Sequence, residues 1–143
     1  MGCIFCEFVK GRKKHKNNYP LIFIHKTKET CSFLSIPDNK KETHLLIIPK
    51  KHISFFEDLP PKILNDLAYH LLLSCKVIKE EYPAYNILLN NRKEAEQYIN
   101  HVHFHIIPKK KNKEPAWVNL TKEQFEELSK NLREKFKKLS TKQ

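Results

Sequence analysis

Glycine is nearly missing from this chain, with two residues in 143. Its turns must therefore be made with Asn, Asp, Pro and Lys. Acidic residues are also scarce, 16 against 27 Lys and Arg, which leaves a formal net charge of +11. That balance favours acidic partners such as nucleotides, nucleic acid or anionic surfaces. The lysines are spread along the chain, however, which equally suits a solvated surface. No apolar run approaches the ~18 residues that a membrane span needs. The opening "MGCIFCEFVKG" lacks the basic region and apolar core of a signal peptide. It begins like a myristoylation signal, but Cys6 stands where Ser or Thr is wanted. Four cysteines do not make a secreted disulfide scaffold. The expectation is a soluble cytoplasmic protein with reduced thiols and no membrane association. Its length is that of one domain, and it has no internal repeat and no low-complexity linker.

What is present reads as α+β. "YPLIFIHK" (19–26) and "TCSFLSI" (30–36) are β-branched and aromatic, hence strands. "PDNKKE" (37–42) is a turn. "THLLIIP" (43–49) is a continuous apolar run, as expected of a central strand covered on both faces. Residues 57–83 read as a helix, with Pro60 and Pro61 suiting its first turn and Ile63, Leu64, Leu67, Leu71, Cys75 and Ile78 at helical spacing. "YNILLN" (85–90) and residues 101–107 are strands joined by a polar connection, and 109–115 is a turn. A final helix opens on a capping box, Thr121 with Gln124, and carries Phe125, Leu128, Leu132 and Phe136 as its apolar stripe. Cys31 and Cys75 fall in apolar patterns and belong to the core.

The segment "HVHFHII" (101–107) carries the chemistry. In a strand, residues two apart share a face, so His101, His103 and His105 line one side at roughly 6.5–7 Å per step. Val102, Phe104 and Ile106 face the core. Imidazole titrates near neutrality and can be nucleophile, proton donor or metal ligand. Neighbouring imidazoles resist being charged together, which suits a phosphate site with one neutral and one protonated ring. A solvent-facing edge strand or a pure metal face are the alternatives.

"HVHFHII" resembles the signature of the histidine triad (HIT) family, and "THLLIIPKKHIS" (43–54) is similar to the upstream segment of its Hint branch. "CIFC" resembles the N-terminus of bacterial and archaeal members. The likeness covers roughly residues 3 to 108. It implies a five-stranded antiparallel sheet with two main helices, usually paired into a homodimer with a continuous ten-stranded sheet. Here the single HIT domain would span 1–143, with a core of about 3–112 and a C-terminal helical extension of about 119–140.

The resemblance also implies hydrolysis or transfer at the α-phosphate of AMP- or GMP-linked substrates: phosphoramidates, acyl-adenylates or dinucleoside polyphosphates. His103 would attack phosphorus to form a nucleotidyl-histidine, and His105 would contact the phosphate oxygens. The resemblance makes Asn90, Gln97, Tyr98 and Asp38 the substrate-binding candidates: Asn90 matches an amide at the scissile phosphate, and Gln97 a glutamine that precedes the triad. Tyr98 stands where the family has Ser or Thr, and Glu96 where it has Gly. Ile36 replaces an acid or amide that binds ribose, and Asp38 takes that role if the turn is rebuilt. In members with the paired cysteines, a structural zinc, not required for the chemistry, is held by residues matching Cys3, Cys6, His44 and His101. From the residues alone, a redox pair or two free cysteines stay open. His15, His25, His52 and His70 receive no role from spacing, and His52 reads as a surface or packing residue.

Two further readings follow. The basic charge suits an aprataxin-like enzyme that removes AMP from nucleic-acid ends, although no Cys or His follows residue 108 to build a zinc finger. Tyr98 and Ile36 suit a nucleotide-binding or scaffold protein with a vestigial site.

Overall fold

The computed structural model describes residues 2–12 and 14–141. The main elements are α1 (Ile4–Val9), β1 (Phe23–Lys26), β2 (Thr30–Leu34), β3 (Leu45–Pro49), α2 (Pro61–Lys79), β4 (Ala84–Leu89), β5 (Phe104–Lys109) and α3 (Lys122–Thr141). The strands form one antiparallel sheet of order β1-β2-β3-β5-β4.

The apolar run Leu45–Pro49 is buried along its whole length. Its residues divide by parity. Leu45 and Ile47 join the core under α2, with Leu67, Ile78 and Ile106. Leu46 and Ile48 join a second cluster on the opposite face, with Phe5, Phe8, Cys31 and Phe33. A strand covered on both faces needs no polar alternation, which is why it reads as a run. Each fully buried Leu, Ile or Phe contributes about 1.5–3 kcal/mol relative to exposure.

Element boundaries differ from the sequence reading at several places, and one element was not foreseen. The helix expected from 57 begins at Pro61. The residue before a proline is driven out of the helical region, and Leu59 and Pro60 are extended (ψ 124° and 151°). The strand expected from 101 begins at Phe104. Upstream of it, the N–H of Val102 donates to the carbonyl of Ile53 at 2.8 Å, so the chain leaves the β3 ladder there. The short helix α1 was not expected. It is held by Phe5 and Phe8, which are buried against the outer face of the sheet.

The capping box at α3 forms as read. Gln124 N–H donates to Thr121 Oγ1 at 3.1 Å, and Thr121 N–H donates to Gln124 Oε1 at 2.9 Å. The helix packs on β1 and α2, with Phe125, Leu132 and Phe136 buried. Its Arg133 donates to the carbonyl of Phe23 at 2.8 and 3.0 Å, which closes the β1 edge. The β4 edge is open, with Ile87 49% and Leu88 39% exposed.

Candidate active site

The antiparallel register of β3 and β5 organises the site. Leu46 pairs with His105, so residues before β5 lie beside the end of β3, and residues late in β5 lie beside its start. His101 therefore meets Pro49: its Nε2–H donates to the Pro49 carbonyl at 2.8 Å. His105 meets His44 instead, with their Nδ1 atoms 3.1 Å apart.

His103 sits between them, buried. Its Nδ1–H donates to the carbonyl of His101 at 2.7 Å, which leaves the lone pair on Nε2. Phe5 stands edge-on to His101 and His103, with centroids 5.7 and 5.2 Å away, and fixes both rings. The His103 and His105 rings are 5.0 Å apart. Burial lowers the pKa of His103, opposed by its bond to the His101 carbonyl. Burial, then the neighbouring His103 and His44 rings, push His105 down to about 3. Both His103 and His105 are thus biased toward the neutral form. His105 Nε2 is buried and has no hydrogen-bond partner among the described residues.

The substrate-binding candidates separate. Asn90 follows directly on the Leu89–Phe104 pair and so lies at the strand end nearest His103. Asp38 is brought to the His44 side: its carboxylate accepts from the N–H groups of Lys40 and Glu42 at 2.8 and 3.0 Å. The polar atoms of Asp38, Glu42 and His44 lie within 4.8 Å of one another. Gln97 is engaged within the fold. Its Oε1 accepts from Arg92 N–H at 2.6 Å, and its Nε2 donates to the carbonyls of Ser54 and Ile99 at 2.8 and 3.0 Å. It ties the loop from Arg92 to Ile99 to the segment at Ser54. Tyr98 is 86% exposed, so its phenol does not take the place of a small hydroxyl held at the phosphate.

The metal candidates need one correction. Cys3 and Cys6 Sγ lie 3.4 and 3.6 Å from His101 Nδ1, and the fourth donor beside them is His52, its Nδ1 3.4 Å from Cys6 Sγ. His44 is not in this group. It precedes β3 and His52 follows it, so a five-residue strand about 17 Å long separates them. The four donors fit a tetrahedral metal. Zn–S and Zn–N bonds of about 2.3 and 2.0 Å put sulfur and nitrogen about 3.5 Å apart. The Pro49 carbonyl also fixes the His101 tautomer that leaves Nδ1 free to bind.

Glu42, His52 and Phe5 lie against these side chains without having been singled out in the sequence. The signal for His52 was the antiparallel register, which sets His101 against the segment after β3. Glu42 carried none.

A model of the HIT domain matches residues 16–112. The chain belongs to the HIT family. It is 38% identical over 115 residues to the adenosine 5′-monophosphoramidase of Candida albicans, covering 76% of this chain and 71% of that protein. It is 35% identical over 140 residues to the adenosine 5′-monophosphoramidase of Saccharomyces cerevisiae, covering 96% and 83%. Among solved structures, a zinc-bound HIT protein of Mycobacterium smegmatis superposes with TM-score 0.81 at 25% identity, over 100% of this chain and 99% of that one. That superposition includes α3, so the C-terminal helix has a counterpart in another member of the HIT family.

Proposed function

We propose that this HIT protein hydrolyses AMP-linked substrates, adenosine 5′-phosphoramidates first, at the α-phosphorus through His103. One observation carries the reading: the His101 carbonyl holds Nδ1–H of His103, so Nε2 presents a lone pair beside the unpartnered Nε2 of His105. A neutral, oriented imidazole is a nucleophile at neutral pH. Its Nε2 attacks phosphorus while the P–N bond of the phosphoramidate breaks. The electron pair leaves with the amine, which takes a proton from solvent. Water then attacks the nucleotidyl-histidine, AMP departs with the new oxygen, and His103 returns neutral as a proton is released. The two relatives named adenosine 5′-monophosphoramidase support this substrate class.

Cys3, Cys6, His52 and His101 would hold zinc. Bound there, it supplies a structural cross-link between the N-terminus and the adjoining ends of β3 and β5. Cys31 and Cys75, buried and free, support a reducing, cytoplasmic setting. No helix among the described residues is long and apolar enough to cross a membrane. The open β4 edge, with Ile87 and Leu88 exposed, supports pairing with a second copy.

The test is AMP release from an AMP–amine phosphoramidate, native against His103→Ala. Release that depends on His103 is the expected result. Equal release by both proteins would sink the reading.

One observation favours the removal of AMP from nucleic-acid ends as a second reading. Lys109, Lys110, Lys111 and Lys113 line a cavity of about 590 Å³ with Asn86, and Lys109 lies two strand steps beyond His105 on the same face. If adenylated DNA is the substrate, kcat/KM on it will exceed that on the phosphoramidate and fall steeply with salt.

A further inference from the structure

Glu42 stands outside the triad and the metal donors, yet a continuous line of hydrogen bonds joins it to the reacting side of the site. Its Oε2 lies 3.1 Å from His44 Nε2. A carboxylate only accepts, so that nitrogen carries a proton. On the other side of the same ring, His44 Nδ1 lies 3.1 Å from His105 Nδ1. Two ring nitrogens at this distance share one proton, and its position decides what His105 shows at its far nitrogen. If His105 donates from Nδ1, its Nε2 is a bare lone pair. If His44 donates, His105 becomes the tautomer with Nε2–H.

The two arrangements meet a phosphate differently. A lone pair repels a phosphoryl oxygen, whereas an N–H binds it. Among the described residues, Nε2 of His105 is a buried ring nitrogen with no partner, on a ring whose centroid lies 5.0 Å from that of the nucleophile. His44 can donate from Nδ1 while still donating to Glu42 only if both its nitrogens carry protons. The groups facing His44 are Glu42 and Asp38 from the turn before β3 and His105 from β5. Two of those three are carboxylates, so a positive ring at His44 is matched by its surroundings. The same charge on His105 would face both His103 and His44.

We propose that Glu42 is a positioning residue: when a phosphate binds, Glu42 and His44 form a relay that places the charge on His44 and turns His105 into an Nε2–H donor to the phosphoryl oxygen. The proposal rests on the functional reading above, because it assigns a job within the same site. A proton moves to His44 from solvent as the anion enters, and no bond other than N–H changes. Glu42 supplies the counter-charge without touching substrate.

The test is nitrogen-15 NMR of the histidine rings, with AMP as the probe, in the native protein and in Glu42→Gln. The amide keeps an acceptor for His44 Nε2–H and removes only the charge, and the side chain is partly exposed, so the fold tolerates it. In the native complex, His105 is expected to show a protonated Nε2 and a bare Nδ1. In Glu42→Gln, the pattern on His105 reverses, and AMP binds about tenfold more weakly, the difference between a charge-supported and a neutral hydrogen bond. Glu42→Asp restores part of the affinity. The proposal fails if saturating AMP leaves the native His105 pattern with a bare Nε2, or if Glu42→Gln shows the native pattern. A native protein with the expected ring pattern but no phosphoramidate hydrolysis overturns the catalytic reading and leaves the relay standing.

Discussion

Two groups of histidines in this molecule look alike in their lowered basicity and differ in one respect. His70, on α2, is fully buried, and burial pushes its pKa down to about 3. His105 is pushed down to the same value by burial and by the rings beside it. At His70, both nitrogens are satisfied: Nδ1 meets Thr30 Oγ1 and Nε2 meets Ser32 Oγ, each at 2.9 Å. Phe136 of α3 covers that cluster, stacked on His25 with centroids 5.2 Å apart. At His105, one nitrogen has no partner. A lowered pKa therefore reports burial in both places, and what separates the two is a ring nitrogen left with hydrogen-bonding capacity to offer, at His105 and not at His70.

The sharpest way to break the comparison is to remove one ring from each group. His103→Ala should lower kcat/KM for AMP release by about 10⁴-fold or more, as expected for loss of a nucleophile. Its cost in urea-measured stability should be about 1–2 kcal/mol, since the ring is buried against Phe5 and its bond to the His101 carbonyl is lost. Removal of the phosphate-facing ring in His105→Ala should cost about 10²–10³-fold, in kcat more than in KM. His70→Ala should do the opposite. It leaves two buried hydroxyls unpaired and a cavity, and should cost about 2–4 kcal/mol in urea-measured stability with kcat retained. A His70→Ala protein that is fully folded and inactive would erase the distinction.

Acid should act on the fold through His70. Its folded pKa of about 3 lies below the unfolded value near 6.5, so the unfolded chain takes up the proton first. The stability it contributes is present above about pH 6.5 and is lost as pH falls toward about 3. The slope is about 1.4 kcal/mol per pH unit for that one proton. Chemical denaturation between pH 7 and pH 4 should be steeper in the native protein than in His70→Gln.

Metal effects should be smaller. Cys6→Ser and His52→Ala should each lose bound zinc, read by elemental analysis, and lower Tm by several degrees. His44→Ala should keep zinc while losing activity. Zinc lost from His44→Ala and kept in His52→Ala would reverse the assignment of the fourth donor. The smallest effect belongs to Tyr98→Ala, whose side chain is 86% exposed. Its stability should stay within about 0.5 kcal/mol of native, with AMP release changed little.

Much of the architecture was legible in the chain itself, because the signals are local. The run "LLIIP" announces a strand covered on both faces, and Thr121 with Gln124 caps a helix from three residues apart. The alternation of "HVHFH" puts imidazoles opposite core residues even though its first three residues lie outside the ladder. Gln97 shows where this legibility ended. Its position in a motif suggested substrate, whereas Arg92, Ser54 and Ile99 take up its amide.

Residue order by itself therefore determined the strands, the helices and the presence of a nucleophilic imidazole, since helix caps, β patterns and alternation act between residues a few positions apart. Only the tertiary structure decided which histidine joins the cysteines, which ring nitrogen carries the lone pair, and that Glu42 reaches His105 through His44. The His103 ring is set by the His101 carbonyl two residues away, whereas the first and the last of these depend on the register between β3 and β5. That pairing brings together side chains some 50 to 60 positions apart, and no local preference of the chain encodes it.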